Sequence, residues 1–486
     1  HSGNALGNYT GQLSNRGERI ALAKPDDSSL PFQDFVVVDE VTYGDGERWG
    51  KWADGGGSSL ELMDVRSDNR QPMNWMGSDE SAKSSWVTIE RTGSLDDGYP
   101  DTPVELLDVY LAQAGECLVD DIEVIREGES VNRVSNSDFS TGLTGWTIDG
   151  NHINSRYEAI DGFSGAGSLH IRASGGGLTS ANPSAQQVDN ICTLLTSTGE
   201  QNEIFTIRAK ARWLAGWPYC ILGFNGYWLE AAGEMDVPQN LGSPGLENSS
   251  YSNNVGPAIF ELQHYPILPG TNEAVRVTAR ALDPDGLSSL ILEYRVDPMV
   301  THVGVSMLDD GTGGDVLSGD GVYSAMIPGQ ASGVITPFRV KAEDNHPAPL
   351  VSWFPSKDIM QDALIRFGEP IPSGLLGTYI IWMSNINVFE FNNRNPNGND
   401  ETDITFVYGN YRAIYNSSLR FRGNGRGGNY QVNKYAGSFP DSERLLGNNE
   451  IRIDQPLQAG LTYGVSGIKE YHSYWIAREG GMAASH

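Results

Sequence analysis

The stretch EAVRVTARALDPDGLSSLILEYRVD, residues 273–297, decides the fold class. Apolar residues alternate with polar ones on both sides of its centre, as in Val275, Val277 and Ala279. This period of two is typical of strands that bury one face. The DPDG sequence at 283–286 supplies the residues of a tight turn. The stretch therefore predicts two strands joined by a turn.

The rest of the chain has the composition of a multidomain β protein. Its 486 residues predict about three to four domains of ordinary size. Gly, Asn, Ser and Asp are abundant and long helical patterns are scarce, which favours short strands joined by many turns. The predicted fold is mainly β, with several Ig-like and jelly-roll β-sandwich domains followed by a partial α+β segment.

The chain is strongly acidic, with a formal net charge of -29. Nucleic-acid binding depends on neutralising phosphates with Lys and Arg, so this composition argues against DNA or RNA as a partner. The acidity fits solubility in salt or calcium loading. No apolar run approaches the roughly 20 residues that span a bilayer, so no membrane span is predicted. No signal peptide is predicted in the first residues.

Residues 1–82 resemble the second half of a bacterial lamin tail domain. The resemblance is carried by GQLSNRGERIALAKP (11–25), VVVDEVTYGDGERWGKWADGGGSSLELMD (36–64) and DNRQPMNW (68–75). It implies an immunoglobulin-like sandwich of the kind found in large secreted proteins, and DFVVVDEVTY (34–43) is predicted to be a buried strand. The first half of the pattern is absent, so we expect this domain to be incomplete at its N-terminus. Its closing stretch, LGSPGLENS, occurs only at 241–249.

Residues 83–240 are therefore expected to be a domain inserted into the first one. ELLDVYLAQAGECLVDDIEVI (105–125) resembles the last strands of a carbohydrate-binding-module-like jelly roll, and SNSDFSTGLTGWTIDGNH (135–152) resembles its first strands. This order indicates either one circularly permuted sandwich or the tail of one module followed by most of another. We favour one sandwich, because 105–125 is too short to bury a core alone.

The jelly-roll resemblance implies sugar recognition by an exposed aromatic ring and nearby polar side chains. The alternative is that each ring is part of the core, as most large aromatic side chains in a sandwich are. The candidate sugar-binding residues are Trp146, Arg156, Trp213, Trp217 and Trp228, with Tyr227 as a further ring and His152 and Glu230 as further polar partners.

Residues 250–356 resemble an immunoglobulin-like or fibronectin-like spacer sandwich. Within them, MLDDGTGGDVLSGDGVY (307–323) places four carboxylates in a glycine-rich loop between two strands. Calcium prefers six to eight oxygen ligands on a backbone that can fold around it, so the loop predicts a Ca²⁺ site, although its spacing is not that of an EF-hand. The alternative is a pair of Asp-Gly turns. The candidate ligands are Asp309, Asp310, Asp315 and Asp320.

Residues 357–486 resemble the opening of the CotH (spore-coat protein H) kinase family. The resemblance rests on FVYGNYRAIYNSSLRFRGNGRGGNYQVNKY (406–435) and on EYHSYWIAREGG (470–481), which is predicted to be an amphipathic helix. It implies that Arg420, Arg422 and Lys434 contact a nucleotide around a glycine-rich loop. The alternative is a tight glycine turn between strands.

The acidic catalytic motifs of the CotH family lie downstream of the matched stretch. We therefore expect the kinase-like domain to be incomplete at its C-terminus and name no catalytic residue. Mg-ATP is expected as a cofactor only if the domain is complete in the parent protein.

Three cysteines, Cys117, Cys192 and Cys220, leave at least one thiol free or paired with another chain. A Cys192–Cys220 bridge is one possibility, and three small buried apolar residues are the alternative.

Together these features predict an extracellular or cell-surface protein that binds a glycan or matrix component without catalysis in this chain. One alternative is a CotH-type secreted kinase whose catalytic part is truncated. Another is a calcium-stabilised surface-layer or filament component that self-associates.

Overall fold

The structure is a computed structural model. It describes residues 11–26, 34–46, 49–96, 103–165, 167–177, 190–224, 229–371, 378–395, 398–422 and 434–454. Strands account for 46% of the described residues and helices for 6%, which confirms the predicted mainly β class with sandwich domains. The kinase-like α+β character of the last segment stays a prediction. Within the described ranges, no helix is both long and apolar enough to cross a bilayer.

The N-terminal segment contains two small antiparallel hairpins. β1 (Arg19–Pro25) pairs with β2 (Phe35–Thr42), and β3 (Leu60–Leu62) pairs with β4 (Trp75–Gly77). The stretch 34–43 does form a strand, but the prediction that it is buried is wrong, because β2 is exposed along most of its length. β1 is its one partner strand among the described residues, and no second layer covers either face.

The first sandwich is built from ten strands in two five-stranded sheets, ordered β5-β12-β7-β10-β9 and β14-β13-β6-β11-β8. One hydrophobic cluster between the sheets extends from Ile89 to Met235. The stretches 105–125 and 135–152 both contribute to this cluster. The strands are β5 (Val87–Ser94), β6 (Val104–Leu111), β7 (Gly115–Arg126), β8 (Trp146–Ile148), β9 (Arg156–Glu158), β10 (Ser168–Ala173), β11 (Ile191–Gly199), β12 (Ile204–Gly216), β13 (Tyr219–Phe224) and β14 (Glu230–Glu234).

The second sandwich has a separate core. Its sheets are ordered β15-β16-β19 and β18-β17-β20-β21, and β22 also pairs with β20. The two strands predicted from 273–297 are present as β16 and β17, and the DPDG turn carries the chain from one sheet to the other. The strands are β15 (Ala258–Tyr265), β16 (Val275–Leu282), β17 (Leu287–Tyr294), β18 (Val303–Ser306), β19 (Tyr323–Ile327), β20 (Ile335–Asp344), β21 (Val351–Phe354) and β22 (Ala363–Arg366).

The C-terminal unit is one antiparallel sheet, ordered β23-β24-β25-β26-β27, with the helix α1 (Asn385–Asn393) packed against it. Helix α1 begins after Ser384, whose Oγ accepts a hydrogen bond from Asn387 N at 3.3 Å. The helix predicted at 470–481 lies outside the described residues. The strands are β23 (Tyr379–Trp382), β24 (Thr402–Tyr408), β25 (Arg412–Phe421), β26 (Lys434–Ser438) and β27 (Glu450–Asp454), and short 3-10 helices lie at Lys51–Ala53, Pro72–Asn74, Gly150–His152, Ile359–Gln361 and Asp441–Glu443.

A buried ion network joins the second sandwich to helix α1. Arg295 Nε lies 2.9 Å from Asp362 Oδ2, and Arg295 Nη1 lies 3.2 Å from Asp297 Oδ1. The other oxygen of Asp297 accepts a hydrogen bond from Asn385 N at 2.8 Å, at the first residue of the helix. The network therefore fixes the start of α1 against the sandwich.

The stretch 241–250 lies against the small hairpin β3-β4. The carboxylate of Glu61 in β3 is buried and accepts hydrogen bonds from Ser250 N and Ser249 Oγ, both at 3.0 Å, and from Ser243 Oγ. Burial works to raise the pKa of Glu61, but the hydrogen bonds from these serines outweigh it and hold the pKa below its ordinary value. Glu61 therefore anchors the stretch in its charged form.

Candidate functional site

The acidic loop of the second sandwich lies between β18 and β19. One carboxylate oxygen from each of Asp309, Asp315 and Asp320 lies within 4.8 Å of the other two. Asp310 is not part of this group, and its Oδ1 instead accepts hydrogen bonds from Thr312 N at 2.9 Å and Thr312 Oγ1 at 2.6 Å. The structure thus brings together three of the four predicted ligands.

Backbone N–H groups hold the carboxylates in place. Asp309 Oδ1 accepts from Gly319 N at 2.7 Å, and its Oδ2 accepts from Gly321 N at 2.9 Å. Asp315 Oδ2 accepts from Gly311 N at 2.6 Å. Gly319 and Gly321 have φ values of 76° and 77°, which residues with a side chain rarely adopt. The glycines therefore let the loop curl around the carboxylates.

Three carboxylates this close repel one another, and a bound cation would offset the repulsion. A donor set made only of oxygens fits a hard cation such as Ca²⁺, with backbone carbonyls and water completing its six to eight ligands. Asp320 is exposed and the other two carboxylates are half-buried. The residues present therefore fit a solvent-open site for a hard cation such as Ca²⁺.

Two of the predicted sugar-binding tryptophans lie in the core of the first sandwich. Trp213 is 1% exposed, and its indole Nε1 donates to Gly216 O at 3.0 Å. Trp146 is buried against Phe139, with ring centroids 5.3 Å apart. Neither ring has a free face, so the prediction that Trp146 and Trp213 stack on a sugar is wrong. Their alternative assignment as core residues fits the packing need of a ten-stranded sandwich.

The other members of the predicted sugar site are dispersed. Arg156 is exposed on the edge strand β9, and Trp228 lies outside the described residues. His152 is fully buried, where Leu111 N donates to its Nε2 at 3.0 Å. Burial lowers the pKa of His152 to about 4, so the ring is neutral at pH 7. Its position makes it a structural acceptor with no access for a sugar.

Trp217 instead pairs with an aromatic residue that the sequence analysis missed. Its ring centroid lies 5.7 Å from that of Tyr219, which is 38% exposed. The Tyr219 hydroxyl donates to Glu234 Oε2 at 3.1 Å. The signal that would have found Tyr219 is strand alternation, since its neighbour Cys220 points into the core. An accessible aromatic ring can stack on a sugar, and the carboxylate beside it can accept hydrogen bonds from the sugar hydroxyls.

The basic residues predicted to contact a nucleotide lie at the facing ends of β25 and β26, with Arg422 just after β25. Arg420 Nε lies 3.5 Å from Glu401 Oε1, and Lys434 is exposed at the start of β26. Arg422 N donates to Lys434 O at 3.1 Å, which places these two residues side by side. The glycine-rich loop itself, 423–433, lies outside the described residues. Nucleotide contact by Arg420, Arg422 and Lys434 and the CotH-type kinase alternative therefore stay predictions.

A cleft of about 820 Å³ lies where the N-terminal hairpins, the second sandwich and the C-terminal sheet meet. At its base His264 Nε2 donates to Ile267 O at 3.1 Å, and His264 Nδ1 accepts from the Tyr415 hydroxyl. Burial lowers the pKa of His264 to about 4, which is consistent with a neutral ring. Both side chains are buried and both ring nitrogens of His264 are hydrogen-bonded, so the pair links β15 to β25 as a structural contact.

Comparisons with known proteins add little to this picture. No family model matches the chain, and a search of curated proteins gave no match. Among solved structures, a DUF4785 family protein from Legionella pneumophila is 5% identical, with 70% of this chain and 76% of that chain covered. Its TM-score of 0.18 is too low to support an argument about fold or function. The lamin tail, carbohydrate-binding-module and CotH resemblances therefore stay predictions.

Proposed function

We propose that this chain is a non-catalytic, multidomain protein of the cell surface or extracellular space whose second sandwich is stabilised by Ca²⁺. The observation that supports it is the convergence of Asp309, Asp315 and Asp320 in the loop between β18 and β19. Separate cores in the two sandwiches fit an array of spacer and binding modules. The acidic surface suits a medium rich in salt and divalent cations.

The position of the loop between β18 and β19 indicates the structural role of a bound cation. β18 is an edge strand of one sheet and β19 is an edge strand of the other. A cation held by the loop would therefore tie the two sheets together at one side of the sandwich. It would also remove the mutual repulsion of the three carboxylates in the folded state only.

Thermal unfolding of the full chain with and without Ca²⁺ tests this proposal. At a Ca²⁺ concentration about ten times the dissociation constant, mass action adds about 1.4 kcal/mol, or roughly 6–10 °C for a domain of this size. Asp315→Asn should abolish the shift, whereas Asp310→Asn is the matched control and should retain it. An equal melting temperature in Ca²⁺ and in chelator, together with no calorimetric binding, would refute calcium stabilisation.

A second candidate function is glycan binding at the Trp217–Tyr219 pair. It is favoured by the exposure of Tyr219 and by the Glu234 carboxylate beside it. Stacking on a sugar needs one accessible face of an aromatic ring and nearby polar groups that bind the sugar hydroxyls. On a glycan panel, Trp217→Ala should lose binding, whereas Tyr265→Ala, which removes an exposed ring from the second sandwich, should keep it. Equal binding by both variants would exclude this surface.

A further inference from the structure

Two of the three cysteines lie in the core of the first sandwich and the third does not. Cys117 in β7 and Cys220 in β13 are fully buried members of one hydrophobic cluster. Cys192 in β11 belongs to a separate small cluster with Leu106. Because β7 and β13 are in opposite sheets, Cys117 and Cys220 enter the core from facing layers.

The strand register excludes the Cys192–Cys220 bridge considered from the sequence. β6 lies between β11 and β13 in this sheet. Cys220 pairs with Leu111 of β6, and Cys192 pairs with Asp108 of the same strand. Leu111 points into the core, so Asp108, three residues earlier, lies on the other face. Cys192 and Cys220 therefore point to opposite faces of the same sheet, and that bridge is wrong.

Short connections keep Cys117 and Cys220 close together. β6 runs into β7, and β12 runs into β13, at the same end of the sandwich, where Trp217 N donates to Ala114 O at 3.0 Å. Both cysteines lie within the first three residues of the strands that leave these corners. Burial, followed by a hydrogen bond with the Cys220 thiol, raises the pKa of Cys117 well above its ordinary value. The two thiols therefore lie at neighbouring positions in the core, one from each sheet.

We propose that Cys117 and Cys220 form a disulfide that joins the two sheets, while Cys192 stays a thiol. The two thiols lose two protons and two electrons as the S–S bond forms, and oxidised glutathione takes them up to give two reduced glutathione molecules. Both thiols are inaccessible in the closed sandwich, so the exchange takes place during folding, before the core closes. The bond closes a loop of roughly 100 residues, a length for which a cross-link is strongly stabilising.

Alkylation of the full chain tests the pairing. The protein is refolded in mixed oxidised and reduced glutathione, denatured in guanidinium with iodoacetamide and no reductant, and analysed by mass spectrometry. We expect one alkylated residue, Cys192, and a linked Cys117–Cys220 peptide pair that disappears on reduction. Three alkylated cysteines, or a linkage that involves Cys192, would overturn the proposal.

A stability measurement supplies a second readout. Reduction should lower the melting temperature of the first sandwich by roughly 5–15 °C. Cys192→Ser should show the same drop, and the double variant C117A/C220A should show none. If the double variant does not fold, the alkylation assay on Cys192→Ser decides. The absence of any alkylated cysteine in that variant supports the pairing, and any alkylated cysteine refutes it.

Discussion

Substitution of Glu61 should release the stretch 241–250 from hairpin β3-β4. Ser249 and Ser250 hydrogen-bond to one carboxylate oxygen of Glu61, and Ser59 and Ser243 hydrogen-bond to the other. In Glu61→Gln, the new NH₂ group can face the hydroxyls of Ser59 and Ser243, because a hydroxyl can also accept. The amide of Ser250 can only donate, so it keeps the remaining oxygen.

The loss in Glu61→Gln is therefore the charge assistance of these bonds. A hydrogen bond to a charged acceptor contributes about 1.5–3 kcal/mol and a neutral one about 0.5–1.5 kcal/mol. Summed over the hydrogen bonds that remain in Glu61→Gln, we expect the free energy of local unfolding of the stretch 241–250 to fall by roughly 2–3 kcal/mol. Glu61→Ala leaves buried donors unsatisfied and should cost about 4 kcal/mol or more.

Hydrogen exchange is the suitable assay, because unfolding of a multidomain chain is not one transition. The amide of Ser250 should exchange roughly 30–150 times faster in Glu61→Gln, since each 1.4 kcal/mol is a factor of ten. The control is Glu40→Gln, which removes an exposed carboxylate paired with Arg19. It should leave the Ser250 amide unchanged. Equal exchange at Ser250 in Glu61→Gln and the unmodified protein would refute the anchoring role.

The pH dependence follows from the lowered pKa of Glu61. A carboxyl whose folded pKa is depressed stabilises the fold above its unfolded pKa. That contribution is lost as the pH falls through the folded value. Protection of Ser250 should therefore decline in acid in the unmodified protein, and Glu61→Gln should be insensitive over the same range.

Two further predictions concern the junctions between the units. Arg295→Met removes the guanidinium beside the buried Asp362 and leaves His302 Nε2, 3.2 Å away, as its remaining basic neighbour. It should destabilise the second sandwich by about 3–5 kcal/mol in urea unfolding, and a loss below about 1 kcal/mol would mean that the buried network is not stabilising. Asp400→Asn should stabilise the contact with Asn154, where Asn154 Nδ2 donates to Asp400 Oδ1 at 2.9 Å, because burial raises the pKa of Asp400 and makes its charged form unfavourable in the folded state. That gain should be present at neutral pH and vanish as the pH falls below the ordinary Asp pKa, so a gain that is equal in acid and at neutral pH in thermal melts would contradict it.

Local sequence patterns predicted the strands better than they predicted which sheet or layer packs against each strand. The alternation in 273–297 correctly predicts the strands β16 and β17, but nothing local says that they belong to opposite sheets. The valines of β2 read as a buried strand because their sequence is apolar on both faces. Burial depends on a second layer, and among the described residues none covers this hairpin.

The candidate sites show the same division. The carboxylates of the acidic loop are local in sequence, and three of the four lie close together. The sugar site required knowing which face of a strand each ring occupies, and a single ring does not reveal this. Trp213 in β12 points into the core, whereas Tyr219, just past the next corner, points outward. Helix α1 was missed because NINVFEFNN has no clear apolar stripe, and only the cap at Ser384 marks its start.

The link from Arg295 through Asp297 to the first backbone amide of α1 has a mechanical consequence. Tension applied to the C-terminal sheet reaches the interior of the second sandwich through side chains as well as along the covalent chain. Shear of that contact would break the hydrogen bond that the Asn385 amide donates to Asp297, whose carboxylate is held in the sandwich by Arg295. A hydrogen bond to a charged acceptor is stronger than a neutral one, so this contact would resist separation of the two units before the connecting chain is extended.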